Sequence, residues 1–477
     1  MSIQTTMPLH NLLINGELLS TNETFDVIDP ATGQVFAQCP KARSEHLDQA
    51  VAAAQAAFEK WRLVPIEQRR SILNKVADAI NAHAERIIPL LTREQGKTLS
   101  ASAIEVAAAE AFCRQLATGD LPVKVLLDND YQRIEIHRKP LGVVAGITPW
   151  NFPFLIAVYK LTPALLAGNS IILKPSPTTP LTTLLLGEII RDLVPPGLVN
   201  ILADAGELGP LMTAHAGIAK ITFTGSTATG KAIMANAANT LKRLTLELGG
   251  NDAGIVLDDV NPREIAQKLF DAAFANSGQV CAALKRLYVH DSIYEEVCDE
   301  LKHIAVRTVV GIGTDPSAQF GPVQNKMQYD KICKYIEIGR ADGEIIAGGN
   351  PEELPGYCIP ITLVKNIQDG SLLVDEEPFG PVLPIMRFSS DEDALRRANN
   401  SGYALGGSVW SGNIKRGQAL AQKLEAANVW VNQHAAIGPH IPLPTAKESG
   451  IGVEWSDEGL LEFTTMQVVN IAKNNAE

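Results

Sequence analysis

A chain of 477 residues is too long for one compact core and suits about three domain-sized units, or two larger α/β units with extensions. Its 41 Lys and Arg against 53 Asp and Glu leave a net charge of −12, which repels phosphate backbones and argues against a nucleic-acid partner. With 46% hydrophobic and 20% charged residues it has the mix of a folded globular protein, and no apolar run approaches the ~18 residues of a membrane span.

The opening MSIQTTMPLHNLLING lacks the basic start and apolar core of a secretory signal, so a cytoplasmic protein is expected. After a short β-like start, SEHLDQAVAAAQAAFEKW reads as a helix, with Ser44 as its cap and Leu47, Val51, Ala54, Phe58 and Trp61 on one face. A second helix is expected from Ile66 to His83, carrying Ile72, Leu73, Val76 and Ile80. Next, VKVLLDNDYQRIEIHR resembles two alternating strands joined by an Asn/Asp turn, a protruding hairpin. From residue 142 the runs GVVAGIT, NSIILKPS, GLVNIL and AKITFTGS alternate with helical stretches, as a parallel sheet covered on both faces requires. A second α/β series runs from DAGIVL through RLYVH, GEIIAGG, VLPIMRF and GGSVWSG to NVWVNQ. No internal repeat or low-complexity linker interrupts it.

The cysteines at 39, 113, 281, 298, 333 and 358 form no CxxC pair, and the histidines do not cluster with them. Neither a metal site nor a disulfide framework is expected, and the default for each thiol is a buried, inert side chain. Two segments stand out against that background. Gly225 to Lys231 has the GxxxxGK spacing of a P-loop, but Ala232 follows where magnesium needs a hydroxyl. What survives is a Gly-Ser turn at a helix start, able to offer backbone N–H groups to an anion, or simply an ordinary turn. The run FANSGQVC sets Cys281 behind a polar, glycine-containing turn where free N–H groups favour a thiolate and can hold an oxyanion. Upstream, Glu247 ends the strand-like LTLE before two glycines. A lone strand glutamate is usually a solvated face and a lone cysteine usually core, so spacing by itself leaves both roles open.

Taken in order, TPWNFP at 148–153, KPS at 174–176, FTGS at 223–226, LELGG at 246–250, the Cys281 turn, EEPFGP at 376–381 and KESG at 447–450 resemble the NAD(P)-dependent aldehyde dehydrogenase superfamily, from about residue 12 to 470. The resemblance implies an α/β fold with a Rossmann-type cofactor domain (1–117 and 140–246), an α/β catalytic domain (247–440), and a β oligomerisation element with a C-terminal segment (118–139 and 441–477). It implies Cys281 as nucleophile, the Asn151 amide and the Cys281 N–H as oxyanion donors, and Glu247 as general base. Relatives that transfer the acyl group to coenzyme A lack that glutamate, so hydrolysis of the thioester is expected.

For the cofactor the resemblance implies Thr148, Trp150, Lys174, Ser176, Gly225, Ser226, Leu248, Glu377 and Phe379. NAD is the expected cofactor; Pro177 stands where many NAD-preferring relatives carry a glutamate, so nothing obvious excludes NADP. The substrate tunnel is expected from Phe152, Ile156, Tyr159, Val280, Ala282, Ile437 and Leu443. This apolar set fits a medium-chain aliphatic or aromatic aldehyde. Succinate-semialdehyde enzymes place an arginine at the position of Tyr159, although Lys285 or Arg286 could serve instead. The family's Pro-[Phe/Trp]-Gly-Gly-x-Lys is here PLPTAK at 442–447, where proline fixes φ and removes a donor. A catalytically silent scaffold protein and a coenzyme A-acylating enzyme are the other readings. The exposed hairpin and the terminal FTTMQVVNI argue for a homodimer or homotetramer.

Overall fold

The computed structural model describes residues 10–473, so the opening stretch read for a leader falls partly outside them. β1 (Leu12–Ile14) and β2 (Glu17–Leu19) form a short hairpin, and β3 (Thr24–Asp29) pairs with β4 (Gln34–Pro40) in another. Helices Ser44–Trp61 and Ile66–Ala82 follow the expected period, burying Leu47, Val51, Ala54 and Trp61 on the first and Leu73, Val76 and Ile80 on the second. Ser44 does not cap. It is the first helical residue, and the Arg43 N–H is satisfied instead by His46 Nδ1 at 3.0 Å. The imidazole thus reaches back to the turn that the serine was expected to close.

β5 (Lys124–Asp128) and β6 (Gln132–Pro140) form the expected hairpin, its turn closed by Asn129 Oδ1, which accepts the N–H groups of Tyr131 and Gln132. β7 (Val143–Ile147), β8 (Ser170–Lys174), β9 (Val199–Ile201), β10 (Lys220–Thr224) and β11 (Arg243–Glu247) then build the parallel centre of an eight-stranded sheet. The chain lays β8 and β9 on one side of β7, and β10 and β11 on the other. At such a reversal the loops beyond the carboxyl ends diverge and leave a crevice. One apolar core joins this sheet to the helices between residues 44 and 117.

Residues 248–251 carry the chain directly into a second sheet. Its strands are β12 (Asp252–Val256), β13 (Leu284–His290), β14 (Glu344–Ala347), β15 (Thr362–Lys365), β16 (Val382–Phe388), β17 (Gly406–Trp410) and β18 (Asn428–Val431), in the order β14-β15-β16-β13-β12-β17-β18. Only β14 runs antiparallel to its neighbour. Alternate residues enter cores on opposite faces, Ile255 on one and Val256 on the other. The carboxyl end of β11 therefore faces the amino ends of β12 and β13.

β19 (Leu443–Pro444) pairs with β21 (Val453–Glu454), while β20 (Gly450–Ile451) returns to the first sheet and lies antiparallel along β11, with Gly450 opposite Glu247. Gly450 has φ 134°, and a Cβ there would stand 1.9 Å from the Leu246 carbonyl oxygen, so no other residue allows this approach. β22 (Thr464–Ala472) completes a three-stranded sheet in the order β22-β6-β5.

Candidate active site

Helix Pro262–Phe274 ends in a turn where Asn276, Ser277 and Gly278 take φ values of 49°, 57° and 72° in succession. Left-handed backbone in two consecutive non-glycine residues costs free energy, and the surroundings hold it in place. Ser277 Oγ donates to the Gly321 carbonyl at 2.7 Å, and Asn276 Nδ2 donates to the Asn151 carbonyl at 3.0 Å. Gln279 Oε1 accepts the Gln324 N–H at 2.9 Å. A Cβ on Gly278 would stand 2.2 Å from the Gly380 carbonyl oxygen, so this turn lies directly on the EEPFGP segment. Cys281 follows, half-buried, just before β13 begins.

Glu247 meets that cysteine from the end of β11. The residue is 2% exposed, its Oε1 has no hydrogen-bond partner, and the Cys281 thiol is close enough to act on the carboxyl electrostatically. Burial pushes the Glu247 carboxyl up to about 7, against the opposing pull of Lys160. The Cys281 thiol is held well above its ordinary range by burial and by the Glu247 carboxylate, while Lys285 draws it down. Lys160 is itself buried, 2.7 Å from Glu454, and also donates to Thr222 Oγ1 at 2.9 Å. The sequence reading passed over Lys160 and Glu454. The available signal was a lysine within PFLIAVYKLTPALL, an otherwise apolar helix where a charge needs a buried partner.

Asn151 reaches the same turn from the opposite side, its Nδ2 donating to the Gln279 carbonyl at 2.9 Å. Its own carbonyl accepts from Lys97 Nζ at 3.0 Å, and Lys97 forms a buried ion pair with Glu105. Glu105 Oε1 accepts the Phe154 and Leu155 N–H groups, both at 3.1 Å, and so anchors the start of helix Pro153–Leu166 directly after Asn151.

Of the expected cofactor residues, Thr148 and Trp150 follow β7, Lys174 and Ser176 lie at the end of β8, Gly225 and Ser226 follow β10, Leu248 follows β11, and Glu377 and Phe379 lie on the loop before β16. The Thr148 N–H donates to the Lys174 carbonyl at 3.1 Å, and Thr148 Oγ1 is buried without a partner. Lys174 Nζ lies 2.6 Å from Asp204, a carboxylate that the sequence reading had not singled out. Ser176 Oγ contacts Thr178 Oγ1 at 3.2 Å. The Gly225 N–H donates to the Glu247 carbonyl at 3.0 Å, and Ser226 caps helix Thr227–Ala237 by accepting the Thr229 N–H at 3.3 Å. Lys231, the lysine of the P-loop spacing, turns outward to Glu448 at 2.9 Å, away from the N–H groups at the start of its helix. The Leu248 N–H bonds the Ser449 carbonyl at 3.0 Å. Trp150 and Phe379 stand edge to face, 5.3 Å between centroids, with Phe379 at φ 54°. Glu377 Oε1 accepts from the Gly250 N–H at 3.1 Å and from Lys285 Nζ at 3.0 Å. An orphaned buried hydroxyl, an exposed capped helix start and an aromatic pair around one crevice fit a dinucleotide with a nicotinamide ring.

The model of the aldehyde dehydrogenase family matches residues 18–469. The chain belongs to the aldehyde dehydrogenase family. Phenylacetaldehyde dehydrogenase of Pseudomonas fluorescens is 37% identical over 97% of this chain and 96% of its own. Betaine aldehyde dehydrogenase of Staphylococcus aureus, solved in complex with NAD+, is 32% identical, covering 98% of this chain and 96% of its own, with a TM-score of 0.93. The NAD+ complex of an aldehyde dehydrogenase from Bacillus cereus is 35% identical, covering 97% and 96%, with a TM-score of 0.94. The reaction is accordingly the NAD(P)-dependent oxidation of an aldehyde to its carboxylic acid.

In this aldehyde dehydrogenase the expected tunnel residues separate into groups. Phe152, Ile156, Tyr159 and Leu443 pack with Phe112, Leu116 and Trp455, the Trp455 ring lying 5.2 Å from Phe112 and 5.6 Å from Tyr159. Leu443 is held there by the ladder to Glu454, so the proline substitutions of PLPTAK leave it buried. Val280 and Ala282 instead line a cavity of about 360 Å³ with Ala275, Trp410, His434 and Ala435, and Lys268 and Asp271 at its wall. Ile437 is 45% exposed and joins neither group. Lys285 is filled by three acceptors, and Arg286 donates to the Asn251 and Ala398 carbonyls at 2.8 and 2.9 Å.

Proposed function

We propose that the enzyme oxidises an apolar aldehyde, aromatic or medium-chain aliphatic, with Cys281 as nucleophile, Glu247 as base and Asn151 as oxyanion donor. The buried Glu247 carboxyl with an unpartnered Oε1, set near Cys281 while the Asn151 amide reaches the same turn, carries this reading. Glu247 takes the thiol proton, and Cys281 Sγ bonds to the aldehyde carbon as a thiohemiacetal. An amide has two N–H groups, so Asn151 Nδ2 can hold the Gln279 carbonyl with one and the developing oxyanion with the other. Thr148, Lys174, Ser226, Glu377, Trp150 and Phe379 would hold NAD(P), whose nicotinamide accepts the hydride when bound. Once the thiol proton has passed to solvent, the ionised Glu247 removes a proton from the water that hydrolyses the thioester, releasing the free acid and the Cys281 thiolate. This glutamate supports hydrolysis over transfer to coenzyme A.

The substrate class rests on the wall. The cavity lined by Val280 and Ala282, the two neighbours of Cys281, is within the range of small-molecule sites, and its alanines offer apolar surface, with Lys268 and Asp271 at the wall. Each buried CH₂ adds about 0.8 kcal/mol, close to fourfold in binding. Lys285 has no donor to spare, and the buried Arg286 is engaged by the Asn251, Arg397 and Ala398 carbonyls and the Tyr288 hydroxyl, which disfavours a dicarboxylic semialdehyde. The test is kcat/KM for hexanal, benzaldehyde and succinate semialdehyde, with NAD and with NADP. We expect the first two to lead with NAD; a preference for the semialdehyde overturns the apolar reading, and no turnover of any aldehyde returns the scaffold alternative.

Self-association belongs to the same proposal. β5 and β22 leave Val125, Leu126, Leu127, Met466, Val468 and Ile471 exposed on the two edges of one small sheet. Such edges are ordinarily covered by another subunit. Light scattering is expected to give a dimer or tetramer, and a monomer at micromolar concentration refutes it. A reducing, cytoplasmic setting is supported by the free state of all the cysteines. Among the described residues, no helix is long and apolar enough to cross a membrane.

A further inference from the structure

Lys285 opens β13 four positions after the proposed nucleophile, and its ammonium is buried, 3% of the residue remaining exposed. It donates to the Cys281 carbonyl at 2.5 Å, to the Gly250 carbonyl at 2.6 Å and to Glu377 Oε1 at 3.0 Å. An ammonium has three N–H donors, so this one is saturated by the protein itself. Its acceptors come from three separate segments. Gly250 lies just beyond the β11 strand that ends in Glu247, Cys281 follows the left-handed turn at 276–278, and Glu377 lies on the EEPFGP loop. The Gly250 N–H also donates to Glu377 Oε1, so Lys285, Gly250 and Glu377 close a ring of hydrogen bonds around a single carboxylate oxygen.

We propose that Lys285 is a positioning residue that fastens the nucleophile's backbone to the loop bearing Glu377 and presents a fixed positive charge behind the Cys281 thiol. The inference rests on Cys281 being the nucleophile. A purely structural ammonium would need only enough acceptors to be solvated. This one spans the base's strand, the nucleophile and the proposed cofactor carboxylate, so its loss displaces chemistry on both sides of the crevice. The groups whose charge acts on the thiol include Glu247 from β11, Lys285 from β13, Asp252 from β12 and Tyr159 from helix Pro153–Leu166. Lys285 is the cation among these, and it opposes the carboxylates that disfavour a thiolate. Glu377 moderates it as its ion-pair partner.

The test uses the full-length enzyme with Lys285→Met, Lys285→Arg and Glu377→Gln. Alkylation of the thiol by iodoacetamide is followed against pH without cofactor, with the label located by peptide mass mapping. NAD affinity is read from tryptophan fluorescence, and kcat and KM are measured separately. Lys285→Met is expected to move the alkylation profile to higher pH by about one unit, near tenfold in rate on the rising limb, and to weaken NAD binding. Lys285→Arg is expected to restore the profile by restoring the charge. Glu377→Gln leaves Lys285 without its anion and is expected to move the profile the opposite way, a readout that survives if Lys285→Met does not fold. Parent-like profiles in Glu377→Gln and in a folded Lys285→Met overturn the proposal. Label found away from Cys281 in the parent overturns the nucleophile reading itself, and this inference with it.

Discussion

The turn at Gly225 and Ser226 enters helix Thr227–Ala237 with an exposed serine cap and no strained residue, whereas the turn at 276–278 sets three successive residues in left-handed backbone before Cys281. The first is built from local chemistry, one hydroxyl satisfying one N–H of its own helix. The second is held from outside, by Asn151, Gly321, Gln324 and the Gly380 backbone. A site that binds a phosphate-bearing ligand needs only free N–H groups at a helix start. One that presents a nucleophile at a fixed distance from a base needs its backbone over-determined.

If that contrast holds, damage to the second turn must cost far more than damage to the first. Cys281→Ala is expected to lower turnover by at least about 10³-fold while fluorescence titration shows NAD binding intact; normal turnover would remove the strained turn from the chemistry. Glu247→Gln follows, with a loss of about 10²- to 10⁴-fold and a persistent acyl-enzyme visible in the pre-steady state. The pH dependence has a definite sign. The base works ionised, so the parent rate should rise with pH to a limb near the carboxyl's value of about 7, and the glutamine variant should lack that limb. Stability runs the other way. A carboxyl raised from 4.5 to about 7 on folding binds its proton more tightly in the native state, so this contribution is present below 4.5 and is lost as pH rises towards 7. Chemical denaturation at both pH values, on parent and glutamine variant, checks it.

Gly278→Ala probes the outside support directly. Its Cβ meets the Gly380 carbonyl at 2.2 Å, so overpacking of about 1–3 kcal/mol adds to about 1–2 kcal/mol for the left-handed residue, and a large drop in denaturation midpoint is expected. Unchanged stability would mean the two loops slip freely. The smallest effect belongs to the first turn. Ser226→Ala should cost about 1 kcal/mol and weaken cofactor affinity a few-fold with kcat unchanged. A kcat loss as large as that of Glu247→Gln would erase the distinction between the turns.

The same contrast decides what could be read from residue order. Short buried strands such as SIILK and KITFT, and the amphipathic helices from 44 to 82, announce themselves because their patterns are local. Ser226 was legible as a helix start for that reason. Cys281 and Glu247 are 34 positions apart by number, and no periodicity joins them; family resemblance named them and the fold brings them close together. Lys160 and Glu454 escaped notice, and Lys285 was read as a possible substrate contact, because a buried ion pair is defined by partners that lie elsewhere in the chain. β15 was missed because TLVK is too short to show alternation. The tunnel residues taken from the resemblance share a motif order but not one wall, since Ile437 sits on a loop that faces outward.

The pairing of Gly450 with Glu247 sets a timetable for biosynthesis. When β11 leaves the ribosome its outer edge has no neighbour, and the residue that will cover it is still 203 codons away (450 − 247). At about 5–20 residues per second, translation takes roughly 10–40 s to supply it. During that interval the first sheet can assemble its parallel centre, but the strand bearing the proposed general base stays open along one side. Glu454, whose carboxylate pairs with Lys160, emerges only after that edge is filled. The nascent chain can therefore acquire most of the first sheet well before residues 450 to 454 complete the surroundings of Glu247 and Lys160.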